Sequence, residues 1–378
     1  MGRFTTGQID EQVFALWCRH VALSPDWLRL RSRLDQVHAG TYISIQWISK
    51  QFPEVTMPND VHESRLRHFP ITLMPSVMGL AGLAIVYLKF QHFFAVDLPL
   101  GQTILYVTSG WFVFVMATYG LKLAKYPAEV KRDFLHPIRI NFFAAISICF
   151  LLLSIGYLES GYPALAKVLW LIGTPLHLLI LLLILYRWFH RPHHIGGFNP
   201  AWFIPVVGPI LVPVAGVEFA HPEISWFFFA TGLMYWLVLL CIFMNRIVFH
   251  DPMPEKLVPT LFILIAPPAV GFIAYMKLTG NLDPFARVLF YFGLFTGLML
   301  LTMVDRFRRV PYFVSWWGYT FPLDAFTISL FLMYKVSHLV LFKQAALVMT
   351  VVTTLTILVV LVKTLVVAAR HGICVPED

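Results

Sequence analysis

The sequence predicts an all-α polytopic membrane protein: ten transmembrane helices forming five helical hairpins in quasi-fivefold arrangement, with the odd helices lining a central pore. Three observations predict it. Of the 378 residues 58% are hydrophobic and 13% charged, with mean hydropathy +0.74, more apolar surface than a soluble domain of this size can cover. Apolar runs of roughly 20 residues, enough to cross about 30 Å of hydrocarbon, recur along the chain. Prolines recur at the spacing of a helical hairpin and fall inside alternate runs.

The elements follow in chain order. Residues 1–65 read as a cytoplasmic N-terminal segment. Its run DEQVFALWCRHVALSPDWLRLRSRLDQV is polar, weakly amphipathic and interrupted by Pro25, without the apolar core and small-residue cleavage site of a secretory signal. Met57 is an alternative start. The membrane domain is expected at 66–370, with spans at 69–95, 102–121, 138–158, 163–187, 200–219, 224–245, 257–278, 284–304, 313–336 and 341–369, and a short cytoplasmic tail at 371–378. The net charge of +8 lies in the short loops between spans, where it signals topology rather than nucleic-acid binding. One set of loops holds Arg65, Arg67, Lys122, Lys125, Lys131, Arg132, Arg139, Arg187, Arg191, Arg246, Lys256, Arg306, Arg308 and Arg309. The other has Lys89, Lys167, Lys277, Arg287, Lys335 and Lys343. The positive-inside bias puts the first set and both termini in the cytoplasm, as an even number of spans requires.

Odd spans open at Pro70, Pro137, Pro200, Pro259 and Pro311, at intervals of 52 to 67 residues, each the length of one hairpin. Interior prolines are also unevenly shared. Pro75, the trio Pro205, Pro209 and Pro213, the pair Pro267 and Pro268, and Pro322 all fall in odd spans; among even spans the fourth alone carries any, Pro163 and Pro175. An interior proline removes a helical hydrogen bond at a cost of about 3 kcal/mol. Inside a membrane, broken backbone is tolerated where it is buried in protein or lines a water-filled path. The odd helices are therefore expected inside and the even helices outside, with Gly79, Gly208 and Gly271 beside the breaks allowing close helix approach. The interior prolines of the odd spans (75, 205, 209, 213, 267, 268 and 322) and these three glycines are candidates for lining or kinking the pore.

A wall of Gly, Pro, Val and Phe binds weakly, which conduction needs. Acids are almost absent from the inner spans, whereas cation paths usually carry rings of them. The positive N-terminal ends of the inner helices face the cytoplasmic mouth, where Arg139 also sits, and proline breaks create further half-helix N-termini. These features favour an anion. No motif supports an enzyme, a cofactor or a metal centre. The four cysteines are scattered, and the HRPHH run (His190–His194) lacks helical ligand spacing and a companion acid or cysteine.

Four stretches, RHFPITLMPSVMGLAG (67–82), HPIRINFFAAIS (136–147), NPAWFIPVVGPILVP (199–213) and SWWGYTFPLDAF (315–326), together resemble the tellurite-resistance/dicarboxylate transporter family, which includes the slow anion channels. The likeness spans about residues 66–370 and is nearest to a bacterial slow-anion-channel-like branch. It implies ten helices in five hairpins, a homotrimer with one pore per subunit, an inner (plasma) membrane location, small inorganic anions as permeant species, and a phenylalanine in the ninth span that plugs the pore. By motif that residue is Phe321, just before Pro322.

Asp324 fits an anion pore poorly. It lies three residues after Phe321, on the same helix face, and ~16 Å into the span by helical rise. It reads as a proton or anion site, or as a structural hydrogen bond to backbone opened by Pro322. Asp324 keeps open the alternative of a proton-coupled transporter or exporter of a dicarboxylate or oxyanion such as malate, sulfite or tellurite.

Overall fold

The computed structural model describes residues 64–375, so the N-terminal segment before residue 64, with Met57, and the last three residues of the tail lie outside the described residues. Among those residues the chain is helical, with no strand. Eight helices are long and apolar enough to cross a membrane: α1 (Ile71–Phe94), α2 (Leu100–Lys125), α3 (Arg139–Glu159), α4 (Pro163–His190), α6 (Pro222–Phe249), α7 (Glu255–Thr279), α8 (Pro284–Leu301) and α10 (Val340–Ala369). Two further helices stand between these in the chain. Pro200–Gly216 (α5) is apolar but shorter, and Thr320–Ser337 (α9) carries Asp324 and Lys335 among its 18 residues. Two short helices, Pro127–Leu135 and Val304–Arg309, follow α2 and α8 on the side where the odd helices begin.

The odd helices are the buried ones. In α1, α3 and α7, 78 to 83% of the apolar window is buried within the chain, against 28 to 39% in the even spans. Every residue of α5 is buried. The inner helices form a closed ring: α1 packs on α3, α3 on α5, α5 on α7, α7 on α9, and α9 back on α1. Each even helix packs on the odd helix before it and also touches the next odd helix around the ring. Bands of exposed Leu, Val, Ile and Phe on α2, α4, α6, α8 and α10 face outward, as a lipid-facing shell should.

The proline rule needs one correction. Even helices α4, α6 and α8 also open on prolines, at Pro163, Pro222 and Pro284, because a missing N–H costs nothing in the first turn. What separates the classes is the turn at the entry. Every odd helix is entered through 3-10 helix: Ile71–Leu73, Arg139–Phe142, Pro200–Trp202, Glu255–Ile265 and Val314–Tyr319. None of the even ones is. In α1, α5, α7 and α9 a proline within or just after that segment removes an i→i−4 donor, and the tighter i→i−3 bond takes over; α3 has no proline after Pro137.

In α5 the pattern repeats within one helix. Phe203–Val207 is α, Gly208–Leu211 is 3-10, and Val212–Gly216 is α again. Pro213 cannot bond back to the Pro209 carbonyl, so the Val212 N–H donates there instead. Pro209 leaves the Pro205 carbonyl free in the same way, and here the donor comes from an outer helix. His177 of α4 lies 3.1 Å through Nε2 from that carbonyl, with Nδ1 2.8 Å from Ser147 Oγ of α3. A buried carbonyl in hydrocarbon must find such a partner.

Candidate functional site

Two cavities lie end to end along the ring axis. The larger, about 560 Å³, occupies the end where the odd helices begin; the smaller, about 290 Å³, occupies the end where they finish. Leu211 of α5, Val270 of α7 and Phe321 of α9 belong to the walls of both. These three apolar side chains therefore form the partition between the cavities, and Phe321 is the largest of them.

The tandem of 3-10 and α geometry in α7 shapes the walls of both cavities. On the large-cavity side Leu257, Thr260, Ile263 and Ala266 line the wall, spaced by three. That is the stripe a 3-10 helix of three residues per turn presents. Beyond it Val270, Ile273 and Lys277 continue at the three-to-four spacing of an α-helix.

Among the described residues the large cavity has no acid in its lining; its charged groups are Arg139 and Lys256. Arg139 Nη1 lies 3.1 Å from Asp133 Oδ1, whose other oxygen takes a 2.6 Å bond from Lys122 Nζ. Lys122 also donates to the Phe69 carbonyl at 2.9 Å. His136, on the same wall, accepts the Ile138 and Arg139 backbone N–H groups at Nδ1, 3.1 and 3.2 Å away. Burial, and then the Arg139 charge, hold its imidazole below the ordinary histidine range, so this mouth carries its positive charge on Arg139 and Lys256. The small cavity is lined by Lys89, Lys277 and Lys335 with Glu159 and His92.

The expected pore residues divide between wall and packing. Pro75, Gly208, Pro267 and Pro322 are on the large-cavity wall with Arg139 and Phe321. Gly79, Pro205, Pro209, Pro213, Pro268 and Gly271 are on the wall of neither cavity. Their places follow from packing. A Cβ at Gly79 would overlap Thr320 of α9, and one at Gly271 would meet Leu289 of α8 at 3.6 Å. Gly208 does both: a side chain there would run into the His177 ring.

Asp324 does not share the cavity-facing surface of Phe321. It is fully buried against α1, where a Cβ on Gly82 would stand 2.7 Å from its Cβ. Neither carboxylate oxygen has a hydrogen-bond partner among the described residues, so of the readings of Asp324 the bond to backbone opened by Pro322 is not seen there. The neighbouring tryptophans do find partners: Trp316 Nε1 donates to the Pro311 carbonyl at 2.9 Å and Trp317 Nε1 to Thr364 Oγ1 of α10 at 3.1 Å.

Sequence reasoning did not single out His177, Asp133 or the small-cavity lysines. The signal for His177 was present, since a histidine in an apolar span facing a helix with prolines four apart is a ready donor for the stranded carbonyl. The lysines gave no such signal, because their convergence depends on ring closure.

Residues 68–365 match the family described as voltage-dependent anion channel. The chain is 28% identical to the S-type anion channel SLAH3 of Arabidopsis thaliana over 73% of its own length and 45% of that protein's. It is 26% identical to the transporter MJ0762 of Methanocaldococcus jannaschii, covering 72% of this chain and 87% of the relative. To a tellurite resistance protein TehA homolog of Haemophilus influenzae it is 23% identical, over 67% and 77% of the two chains. The chain spans about half the length of the plant relatives SLAH3 and SLAH2. With the family match running from the first odd helix into the last even one, this chain belongs to the voltage-dependent anion channel family.

Proposed function

We propose that this protein is a gated anion channel that passes small inorganic anions through an apolar path closed by Phe321. The observation that carries the reading is the paired cavities. Among the described residues each bears net positive charge, neither is lined by an unpaired acid, and the barrier between them is Phe321 with Leu211 and Val270. An apolar neck between two positive vestibules attracts anions without holding them tightly, and an aromatic ring suffices to close it. The family and the relatives named as anion channels support the same reading.

Orientation and assembly belong to this proposal. All ten helices cross the bilayer, with the large cavity at the cytoplasmic face because the basic-rich loops flank it. The chain sits in a plasma (inner) membrane with both termini cytoplasmic. Each chain holds a whole path, so a homotrimer would carry three independent ones. Wild-type and Phe321→Ala protein in planar bilayers tests the gate. Basal chloride current is expected to rise at least about tenfold in the variant, the scale of removing roughly 1.4 kcal/mol of barrier. An unchanged current from correctly folded protein sinks the assignment.

One observation favours a second reading. Asp324, fully buried and unpartnered one turn from Phe321, is where a proton-coupled transporter or exporter of an oxyanion or dicarboxylate would carry its proton. The family relative named for tellurite resistance is compatible with it. Reversal potentials under crossed chloride and pH gradients separate the two: a channel follows chloride, a coupled carrier shifts with pH.

A further inference from the structure

Basic residues are scarce on the side where the odd helices end. Of the six there, Lys89, Lys277 and Lys335 line the one small cavity, each from a different inner helix, α1, α7 and α9. Lys277 and Lys335 occupy equivalent places, each three residues before a left-handed cap, at Gly280 and His338. Lys89 is bonded to Glu159 at 2.5 Å, with both side chains 24% exposed. Among the described residues Lys277 and Lys335 form no ion pair. The cavity thus holds three cations against one acid.

Lysines near helix C-termini are ordinarily explained by the helix dipole, and their long stems let them reach the membrane surface. That account leaves their direction open, and these three turn inward. Lys343, on outer helix α10, shows the other outcome: its ammonium lies over the Phe94 and Tyr334 rings, off the cavity wall. Direction matters because the inner helices finish at this mouth, each with roughly half a negative charge at its C-terminus. An anion arriving past Phe321 would meet a repelling ring unless cations stood in front of it.

We propose that Lys89, Lys277 and Lys335 form an anion-binding vestibule for a small inorganic anion, and that Glu159 competes with that anion for Lys89. The assignment builds on the channel reading. Lys277 and Lys335 supply the standing attraction, and the Lys89–Glu159 pair limits it, so the anion is captured and still leaves.

The test has two readouts. In the Phe321→Ala background, K277Q/K335Q is expected to raise the half-saturating chloride concentration about tenfold from the small-cavity side. E159Q is expected to lower it, and K277R/K335R to keep the parent value. Half-saturation unchanged in K277Q/K335Q, or changed equally from both sides, overturns the vestibule while leaving the gate intact. The second readout needs no current. Leu332, on the same wall, is replaced by cysteine in protein whose Cys18, exposed Cys241 and half-exposed Cys374 are serine. Its reaction with an anionic sulfonatoethyl methanethiosulfonate is compared with that of the cationic trimethylammonium reagent, both normalised to a free thiol. The anionic reagent is expected to react about tenfold faster, falling to parity in K277Q/K335Q. Equal rates with the lysines intact overturn the proposal even where Phe321→Ala carries no current, an outcome that by itself removes only the gate.

Discussion

His177 shows how one side chain can make a broken helix tolerable. It serves the carbonyl stranded by Pro209, and the missing side chain at Gly208 leaves it room. Gly208→Ala should push the ring off that carbonyl and destabilise the protein by about 1–3 kcal/mol for the overpacking and the lost bond, read as a lower thermal midpoint in detergent. A variant as stable as the parent would show that the ring has another place to go. Asp324 is buried beside Gly82 with no hydrogen-bond partner among the described residues, which packing does not explain. Asp324→Asn is expected to alter the pH dependence of anion flux in proteoliposomes; superimposable profiles would remove it from the mechanism.

At the scale of the element, α7 departs furthest from an ordinary helix. Its first eleven residues, Glu255–Ile265, are 3-10, far beyond the three or four residues usual for that geometry. The consequence is a straight stripe on the large-cavity wall, which makes a direct prediction. Single cysteines at 257, 260, 263 and 266 should react with a small water-soluble thiol reagent, while those at 261 and 264 stay protected. Reactivity at 257, 261 and 264 instead would mean an α-helix there. The composition of this segment, apolar with Pro259 inside and Pro267 and Pro268 following, marked it as irregular. It did not say which irregular geometry would result, because 3-10 and kinked α satisfy the same missing donors.

For the whole molecule, Asp133 joins the first hairpin to the second. It lies on the short helix between them and binds Lys122 at the end of α2 and Arg139 at the entry of α3. The Lys122 pair is deeply buried, with side-chain exposures of 3% and 7%. Asp133→Ala takes the carboxylate away from the deeply buried Lys122 ammonium and should destabilise the fold by about 3–5 kcal/mol. Thermal unfolding checks it, with D133N retaining part of the loss-free behaviour through its remaining hydrogen-bond acceptor.

The sequence by itself determined the membrane class, the order of the spans and the division into inner and outer helices. Hydrocarbon supplies no hydrogen bonds, so interior prolines at 75, 205, 209, 213, 267, 268 and 322 are confined to helices shielded by others. It also pointed to Phe321, through the family motif around it. The tertiary structure decided which candidates face the two cavities. Pro75 and Pro267 reach the cavity wall whereas Pro205 and Pro268 do not, because their rotation about the helix axis depends on local 3-10 turns that composition leaves open. It decided that Asp324 lies against Gly82, away from the space beside Phe321. Only ring closure brings Lys89, Lys277 and Lys335 together, since residues on three separate helices share a cavity by packing, and no local pattern in the chain records that meeting.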